Sequence, residues 1–270
     1  MKKTILITGS TDGIGKLAAI KLAKDGHEIY LHGRNGAKLT SVIAEVKDRS
    51  QNEKIAGFTA DFSDLASVKN LATEVAQALD KIDVLINNAG VFKSPTTLTD
   101  AGLDLRMTVN YLAPYLLTKE LIPLLAKSHS PRLINLSSAA QAPVSEAVLL
   151  GKEISSEQET YAQSKLALTM WSLHLAKTHP HISVIAVNPG SLLNTNMVRE
   201  AYGRHWAPAD KGADILYYLA VAKKYEGITG KYFDNDMGDF GRIHPAGQNE
   251  SAIDSLIANT NELLGLQSID

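Results

Sequence analysis

Tyr161 and Lys165 have the residue types and the spacing that are needed to move a proton. Residues four positions apart lie on one face of a helix, so the phenol and the ammonium would sit side by side. Tyrosine titrates near pH 10 when unperturbed, which makes it a poor base at neutral pH. A neighbouring ammonium stabilises the phenolate and should lower the pKa of Tyr161. The pair therefore predicts a general acid/base, although this spacing alone is common by chance.

A glycine-rich segment, Thr8–Gly15, follows the first apolar run and leads into a helical pattern. Gly9 permits a tight turn, Gly13 lets the backbone approach a diphosphate, and Gly15 lets the helix pack close to the strand. The free N–H groups and the positive end of the helix dipole then favour phosphate. No Gly-Lys-Ser/Thr follows, which excludes the ATP-binding P-loop. The segment predicts a dinucleotide site, against the alternative of a turn without a ligand.

The end of the second predicted strand discriminates between NAD and NADP. A carboxylate about twenty residues beyond the glycines would bind the ribose 2′-hydroxyl of NAD. The segment Gly33-Arg34-Asn35 contains no acid, and Arg34 can pair with the 2′-phosphate of NADP. Against this, Arg34 could be a solvated surface charge, and Asp12 adds negative charge nearby. We expect NADP (NADPH), with NAD less favoured.

Short β-branched apolar runs alternate with longer amphipathic stretches along the chain. Strands that read as continuous apolar runs are buried on both faces, as in a parallel sheet covered by helices. The pattern predicts an α/β fold, doubly wound, with a mainly parallel seven-stranded sheet and helices on both faces. The predicted strands are Thr4–Thr8, Glu28–Leu31, Lys54–Thr59, Val84–Asn87, Arg132–Leu136, Ile182–Asn188 and Gly230–Phe233. The predicted helices include Ile14–Lys24, Ala37–Arg49, Leu65–Leu79 and Leu103–Lys127.

No linker or repeat divides the chain, so residues 1–270 are expected to form a single domain. Two segments, about 139–159 and 191–208, follow strand ends, where open α/β sheets bind ligands, and are candidate substrate loops. Their apolar side chains predict an apolar or aromatic aldehyde or ketone. Those side chains are Ala142, Pro143, Val144, Val148, Leu149, Leu150, Leu192, Leu193, Met197, Val198, Tyr202 and Trp206. The second segment also carries basic residues that could meet an anionic group: Arg199, Arg204 and His205.

Further motifs accompany the tyrosine and the lysine at the predicted strand ends. They are Asn87-Asn88-Ala89-Gly90, Asn110, Ser137-Ser138 and Asn188-Pro189-Gly190. In this order they resemble the short-chain dehydrogenase/reductase family, from Lys3 to about Pro189. The wide gap between Ser138 and Tyr161 is similar to that of retinol dehydrogenase-like members. The resemblance implies an oxidoreductase that transfers a hydride between a nicotinamide and a carbonyl or alcohol substrate.

The resemblance also implies roles for individual residues. Tyr161 is the acid/base, Lys165 lowers its pKa and holds the nicotinamide ribose, and Ser138 hydrogen-bonds the substrate oxygen. Asn110 steadies a water that links Lys165 to solvent. Ser138 is preferred to Ser137 because residues alternate at a strand end and the family uses the second serine. The implied cofactor-binding residues are Gly9, Ser10, Thr11, Gly13, Ile14, Gly15, Arg34, Asp61, Phe62, Asn87, Ala89, Gly90, Tyr161, Lys165, Pro189, Gly190 and Thr195.

Some of these implied roles have alternatives. Asp61 is implied to lie beside the adenine amino group, but it could instead cap the next helix. Asn87 and Gly90 are implied to pass under the adenosine ribose and to stabilise the sheet. Family members often place a threonine a few residues after the Pro-Gly turn, where it holds the nicotinamide carboxamide. Thr195 is a candidate for this role, although the segment before it carries one residue more than is usual in the family.

Composition excludes several classes of protein. The net charge is −2 and there is no cysteine. This charge gives no electrostatic reason to expect nucleic acid or an anionic membrane as a partner, and no zinc–sulfur site can form. The first apolar run is too short for a signal peptide, and no stretch approaches the roughly 18 apolar residues of a membrane span. The eight histidines show no metal-ligand spacing on one helix. We expect a cytoplasmic protein without a metal.

The helical segments that carry Asn110 and Tyr161 are apolar on more than one side, and a helix that is apolar nearly all round is buried somewhere. In the family these helices often pair across a two-fold axis, so a homodimer or homotetramer is expected. The apolar side chains available are Leu112, Tyr115, Leu116, Leu166, Met170 and Leu173. Two other functions stay open: a catalytically silent, cofactor-binding regulator and a nucleotide-sugar epimerase or dehydratase. The intact catalytic set argues against the first, and the short segment after Asn188 against the second.

Overall fold

The computed structural model describes residues 1–266, and its strands form one sheet in the order β3-β2-β1-β4-β5-β6-β7-β8. The strands are β1 (Thr4–Ile7), β2 (Glu28–Gly33), β3 (Ile55–Thr59), β4 (Val84–Asn87), β5 (Arg132–Leu136), β6 (Ser183–Asn188), β7 (Lys231–Asp234) and β8 (Asp239–Phe240). Neighbours pair in parallel except for β7 and β8. The prediction of a mainly parallel sheet is confirmed, and the sheet has one short antiparallel strand more than the seven predicted. The last four residues of the predicted domain lie outside the described residues.

Helices cover both faces of the sheet. They are α1 (Gly13–Lys24), α2 (Gly36–Ser50), α3 (Leu65–Ala78), α4 (Leu105–Met107), α5 (Ala113–Leu125), α6 (Glu146–Leu149), α7 (Glu157–Thr178), α8 (Asn196–Tyr202), α9 (Ala209–Val221) and α10 (Glu250–Leu263). Strand side chains alternate between two cores, with α1, α2 and α9 on one side and α3, α5, α7 and α10 on the other. This is the doubly wound arrangement predicted from the continuous apolar strands. Within residues 1–266, no helix has the length and apolar character that a bilayer span requires.

One predicted helix is interrupted, and the helix that carries Tyr161 begins before that residue. The stretch Leu103–Lys127 was predicted as one helix, but a π-helical turn, Thr108–Leu112, separates α4 from α5. Such turns insert an extra residue and occur often at functional sites. Helix α7 begins at Glu157, because the Ser156 side chain caps it by accepting from the Glu159 N–H. Tyr161 therefore lies in the second turn of α7.

Helix α10 packs against the apolar faces of α5 and α7. The Tyr111 and Thr260 hydroxyls lie 2.8 Å apart, and the Tyr115 hydroxyl donates to Asn261 Oδ1 at 2.7 Å. Most of the apolar residues on which the expected homodimer or homotetramer rested are buried within this chain: Leu112, Tyr115, Leu116, Leu166 and Met170. The chain's own C-terminal helix covers the surface that a partner was expected to cover. The burial of these residues therefore needs no partner subunit, and the homodimer or homotetramer stays a prediction.

Candidate active site

Ser138 and Tyr161 meet where the end of β5 faces α7. Their hydroxyls hydrogen-bond to each other, and Ser138 Oγ also accepts from the Ala140 N–H at 3.1 Å. Ser137 is buried, and its hydroxyl donates to the Lys165 carbonyl at 3.0 Å and lies 2.7 Å from Thr169 Oγ1. The first serine thus ties β5 to α7, while the second faces the tyrosine. This is the arrangement that the sequence favoured for the pair.

Lys165 lies beside the ring of Tyr161, with Nζ 5.6 Å from the ring centroid. Nζ donates to the Leu136 carbonyl at 2.8 Å, and burial lowers the pKa of Lys165 to about 8. Burial raises the pKa of Tyr161 to about 12, although the Ser138 hydrogen bond opposes the rise. Burial is the largest influence on the pKa of Tyr161 in this structure, because it removes water from the hydroxyl. The lowering of that pKa by Lys165 stays a prediction.

The side chain of Asn110 joins the turn after β4 to α7 through hydrogen bonds. Its amide donates to the Val91 carbonyl and to Ser164 Oγ, each at 3.0 Å, and Oδ1 accepts from the Val91 N–H at 2.8 Å. Both amide hydrogens are therefore used. A Cβ on Gly90 would lie 3.3 Å from Asn110 Oδ1 and 3.5 Å from Lys165 Nζ. The π-helical turn thus places Asn110 against the loop that runs beside the lysine.

The glycine loop is clamped by the segment that follows β4. The Asn88 amide donates to the carbonyls of Thr8 and Gly9, each at 2.8 Å. A Cβ on Gly15 would lie 2.4 Å from Asn88 Nδ2 and 2.9 Å from the Gly9 carbonyl oxygen. A Cβ on Gly9 would lie 2.6 Å from Ala89 Cα. Only a glycine at position 15 leaves room for the Asn88 side chain. The role of Asn88 was missed in the sequence, although its place next to Asn87 in the motif could have indicated it.

A buried histidine supports the other side of the glycine loop. His32 Nδ1 accepts from the Gly9 N–H at 3.1 Å, and Nε2 lies 3.1 Å from the Ala60 carbonyl oxygen. Burial lowers the pKa of His32 to about 4, so the ring is neutral at pH 7. Its ring stacks on Phe62 with centroids 4.4 Å apart, which places the buried Phe62 side chain beneath the loop.

Asp61 is exposed at the end of β3, where it was expected to meet the adenine. Its Oδ1 accepts from the backbone N–H and the hydroxyl of Ser63 at 2.9 and 2.7 Å. The N-cap of α3 is Asp64, which accepts from the Ala66 N–H. The alternative that Asp61 caps this helix is therefore wrong, and its contact with adenine stays a prediction.

Two basic side chains lie where the end of β2 reaches the glycine loop. A Cβ on Gly33 would lie 2.5 Å from Thr11 Cγ2, so the two segments are in contact. Arg34 follows directly and is exposed, with no hydrogen-bond or ion-pair partner among the described residues. Lys38, one helical turn further along, pairs with Asp12 at 3.2 Å. Lys38 was missed in the sequence, although its spacing of four from Arg34 was a usable signal.

Asn87 lies inside the sheet. Its amide donates to Thr118 Oγ1 at 3.0 Å and to Asn135 Oδ1 at 2.8 Å, and Asn135 in turn donates to Ser172 Oγ at 2.8 Å. This polar chain joins β4 and β5 to α5 and α7. The structure therefore places the Asn87 side chain where it stabilises the sheet, and the backbone of Ala89 and Gly90 beside the glycine loop and Lys165.

The turn at Pro189-Gly190 is fixed by the segment after β7. Asn188 Nδ2 donates to Asp234 and Asp236, each at 2.9 Å, and the Ser191 hydroxyl donates to Asp236 at 2.5 Å. Thr195 caps α8 by accepting from the Val198 N–H at 3.3 Å. Its methyl group lies 3.7 Å from the position of a Cβ on Gly13, so Thr195 sits against the glycine loop. A contact with the nicotinamide carboxamide stays a prediction.

An aromatic cluster lines the approach to Tyr161. The ring of Phe92 lies 4.8 Å from that of Tyr161 and 5.8 Å from that of Tyr202, the last residue of α8. Tyr202 and Trp206 are 53% and 72% exposed. Phe92 was missed in the sequence, where it follows the Asn-Ala-Gly motif by one residue. Some of the apolar residues expected to line the pocket lie in the core instead: Val148, Leu149 and Leu193.

The candidate cofactor residues thus gather on one edge of the sheet. Gly9, Ser10 and Thr11 lie in the turn between β1 and α1, and Gly13, Ile14 and Gly15 lie in the first turn of α1. Asn87 ends β4, Tyr161 and Lys165 lie in α7, and the other predicted residues follow the ends of β2, β3, β4 and β6. In the described part of the chain, no group of three or more His, Asp or Glu side chains could hold a metal ion.

The comparisons with known proteins point to one family. The family model described as "short chain dehydrogenase" matches residues 3–205. Human polyprenol dehydrogenase is 31% identical over 87% of this chain and 77% of its own length. Mouse retinol dehydrogenase 13 is 30% identical over 86% of this chain and 75% of its own length.

Solved structures agree with this result. A Shigella flexneri protein complexed with NADP is 27% identical with a TM-score of 0.69, over 87% of this chain and 97% of its own. An Escherichia coli CFT073 protein complexed with NADPH is 26% identical with a TM-score of 0.71, over 86% of this chain and 96% of its own.

Proposed function

This chain belongs to the short chain dehydrogenase family of oxidoreductases, and from that premise we propose that it transfers a hydride between NADP(H) and a carbonyl or alcohol. Tyr161 is the proposed acid/base. The observation that carries the proposal is the hydrogen bond between Ser138 and Tyr161, next to the buried ammonium of Lys165. Three separate segments bring these three residues and Asn110 to the strand edge that holds the glycine loop.

The residues present fit a nicotinamide dinucleotide. Lys165 has three donors and uses one of them on Leu136, which leaves two for the hydroxyls of a ribose. Gly90 keeps the wall beside this ammonium free of a side chain. The glycine loop would hold the diphosphate at the N-terminus of α1. When bound, the nicotinamide supplies or accepts the hydride.

The protein's own groups would handle the substrate oxygen and its proton. The hydroxyls of Ser138 and Tyr161 can both donate to a carbonyl oxygen on which negative charge develops. A pKa of about 12 keeps Tyr161 protonated at neutral pH, as an acid in carbonyl reduction requires. Asn110 holds the loop beside Lys165, and its proposed part in a water relay stays a prediction.

The proposed cofactor is NADP rather than NAD. Arg34 and Lys38 follow the end of β2, which contacts the glycine loop, and this strand end carries no acid. Two similar proteins were solved with NADP or NADPH, which supports this choice. We expect NADPH to be preferred over NADH by more than about tenfold in kcat/KM, the equivalent of one charge-assisted contact. Equal use of both, or an unchanged preference in Arg34→Ala, would contradict this assignment.

The proposed substrate is an apolar or aromatic aldehyde or ketone, or the matching alcohol. Phe92 and Tyr202 form an apolar side of the approach to Tyr161, and the exposed Trp206 follows on the same segment. Polyprenol and retinol, in the names of two relatives, are apolar alcohols. Arg199 and Arg204 are exposed on the same segment, as solvated charges would be.

The test is consumption of NADPH with a matched panel of apolar ketones and aldehydes against keto acids and sugar phosphates. Turnover of the apolar compounds supports the proposal. Anionic compounds turned over at least about tenfold more efficiently would contradict the apolar pocket and place Arg199 and Arg204 in the site. NADPH binding without any turnover would favour the silent regulator. The cytoplasmic location stays a prediction.

A further inference from the structure

The carboxylate of Asp12 joins three parts of the chain that are distant in sequence. Oδ1 accepts from the Gly13 N–H at 2.8 Å, and Oδ2 accepts from Lys38 Nζ at 3.2 Å and from Asn196 Nδ2 at 2.5 Å. The donors belong to the glycine loop, to α2 and to α8. Burial acts to raise the pKa of Asp12, but these hydrogen bonds outweigh it and hold the pKa below its usual value. Asp12 is therefore an ionised acceptor at the mouth of the proposed diphosphate site.

Helix α8 spans the distance between this carboxylate and the catalytic tyrosine. Asn196 is its first residue, and Tyr202 at its other end packs on Phe92, which packs on Tyr161. One short helix thus touches the phosphate end of the proposed cofactor site and the end where substrate would react.

The two ends of the segment that carries α8 lie side by side, where they are joined by backbone hydrogen bonds. The Trp206 N–H donates to the Leu192 carbonyl at 2.9 Å, and the Asn194 N–H donates to the Ala207 carbonyl at 2.8 Å. Leu192 has a φ of 48°, a strained value for a residue with a branched side chain. Helix α8 buries none of its residues. Few contacts therefore hold this segment, hereafter the lid (residues 194–206), over the glycine loop.

We propose that the Asp12–Asn196 contact is the latch of this lid, and that the two residues act as a positioning pair for the reaction under "Proposed function". Because α8 has no fully buried residue, a charge-assisted hydrogen bond is a large part of what holds it in place. Thr195, the cap of α8, rests on Gly13 directly beside the latch. Lys38 holds the Asp12 carboxylate in position and neutralises its charge next to the phosphates. The latch retains the cofactor and, through α8, sets the place of Tyr202.

Asn196→Asp tests the latch. The substitution removes the donor and sets two carboxylates face to face, which repel each other. Asn196 Oδ1 also accepts from Arg199, and an aspartate keeps an acceptor for that bond, so the donor to Asp12 is the hydrogen bond that is lost. Asn194→Asp is the matched control, because Asn194 is an exposed lid residue whose side chain has no partner among the described residues. The double variant Asp12→Asn/Asn196→Asp rebuilds the hydrogen bond with donor and acceptor exchanged.

Two measurements report the state of the lid without any turnover. Trypsin cuts after Arg199 and Arg204, which lie within the lid and are exposed, so the cleavage rate reports opening. Stopped-flow fluorescence gives the rate of NADPH release. We expect Asn196→Asp to raise both rates by about tenfold, as the loss of one charge-assisted contact predicts. Asn194→Asp should stay near wild type, and the double variant should return toward it.

The latch is refuted if trypsin cleaves Asn196→Asp, and NADPH leaves it, at the wild-type rates. It is also refuted if the double variant shows the same raised rates as Asn196→Asp. Trypsin digestion is also run without nucleotide, so the latch is decided even when NADPH fails to bind. Failure of NADPH to bind would instead contradict the proposed function. A shared melting temperature among the variants separates lid opening from general unfolding.

Discussion

The buried charge of Lys165 lowers the unfolding free energy of the protein at neutral pH, and replacing the lysine by an uncharged residue should remove this penalty. Its side chain is buried, at 4% exposure, and burial lowers its pKa from 10.5 to about 8. Its ammonium has one hydrogen bond, to the Leu136 carbonyl. A buried cation with so little compensation disfavours the folded state at neutral pH. Lys165→Met keeps most of the side-chain volume and removes the charge.

The size of the effect follows from the two pKa values. The unfolded lysine keeps its usual pKa near 10.5, so between about pH 8 and 10.5 the unfolded state binds more protons than the folded state. The unfolding free energy of the wild type should therefore rise with pH across this window, relative to Lys165→Met. From pH 7 to pH 10 the change in unfolding free energy is about 2–3 kcal/mol, since one unit of pKa shift corresponds to roughly 1.4 kcal/mol. Only the dependence on pH reports the pKa of Lys165, because the loss of its hydrogen bond to Leu136 in Lys165→Met affects the unfolding free energy at every pH.

The assay is urea unfolding of both proteins at several pH values from 7 to 10. Lys177→Met is the control on the same helix, since Lys177 is exposed and its hydrogen bond to Glu250 raises its pKa. A raised lysine pKa gives stability that is lost as pH rises, so the control should change slightly and in the opposite direction. The quantity compared is the difference in unfolding free energy between the wild type and Lys165→Met. If this difference changes by less than about 0.5 kcal/mol between pH 7 and pH 10, the reasoning is refuted.

Two further predictions concern the glycine loop and the serine pair. Gly15→Ala should abolish NADPH binding in a fluorescence titration with the fold retained, because its Cβ would collide with the Asn88 amide, whereas Gly36→Ala, whose nearest neighbour is at 3.8 Å, should bind normally. Ser138→Ala should lower kcat by about a hundredfold with little change in melting temperature, as the loss of one oxyanion donor does. Ser137→Ala should do the reverse and lose about 1 kcal/mol or more of stability, because its buried hydroxyl holds Lys165 and Thr169. The serine assignment is wrong if the two variants behave alike.

Sequence reasoning succeeded where the signal was local. The parallel strands were readable because each is a short apolar run, and the glycine loop because its spacing is tied to one turn between a strand and a helix. The proximity of Tyr161 and Lys165 followed from helical periodicity. The pKa of Tyr161 did not, since it depends on how the whole fold removes water from the hydroxyl.

The failures share a dependence on long-range packing. Apolar residues on α5 and α7 read the same whether a partner subunit or the chain's own α10 covers them, so the sequence could not decide between the two. The π-helical turn at Thr108–Leu112 has no signal of its own, because the apolar periodicity continues across it. The roles of Asn88 and Lys38 emerged only when the segments they touch were placed in space.

The central claim is that Tyr161 moves the proton in a reaction driven by NADP(H). Tyr161→Phe removes the hydroxyl and leaves the ring that packs on Phe92. With an accepted apolar ketone, we predict a fall in kcat of at least about a hundredfold, as the loss of a general acid does. The Kd for NADPH should stay close to that of the wild type. A Tyr161→Phe protein that keeps most of its kcat would contradict the account.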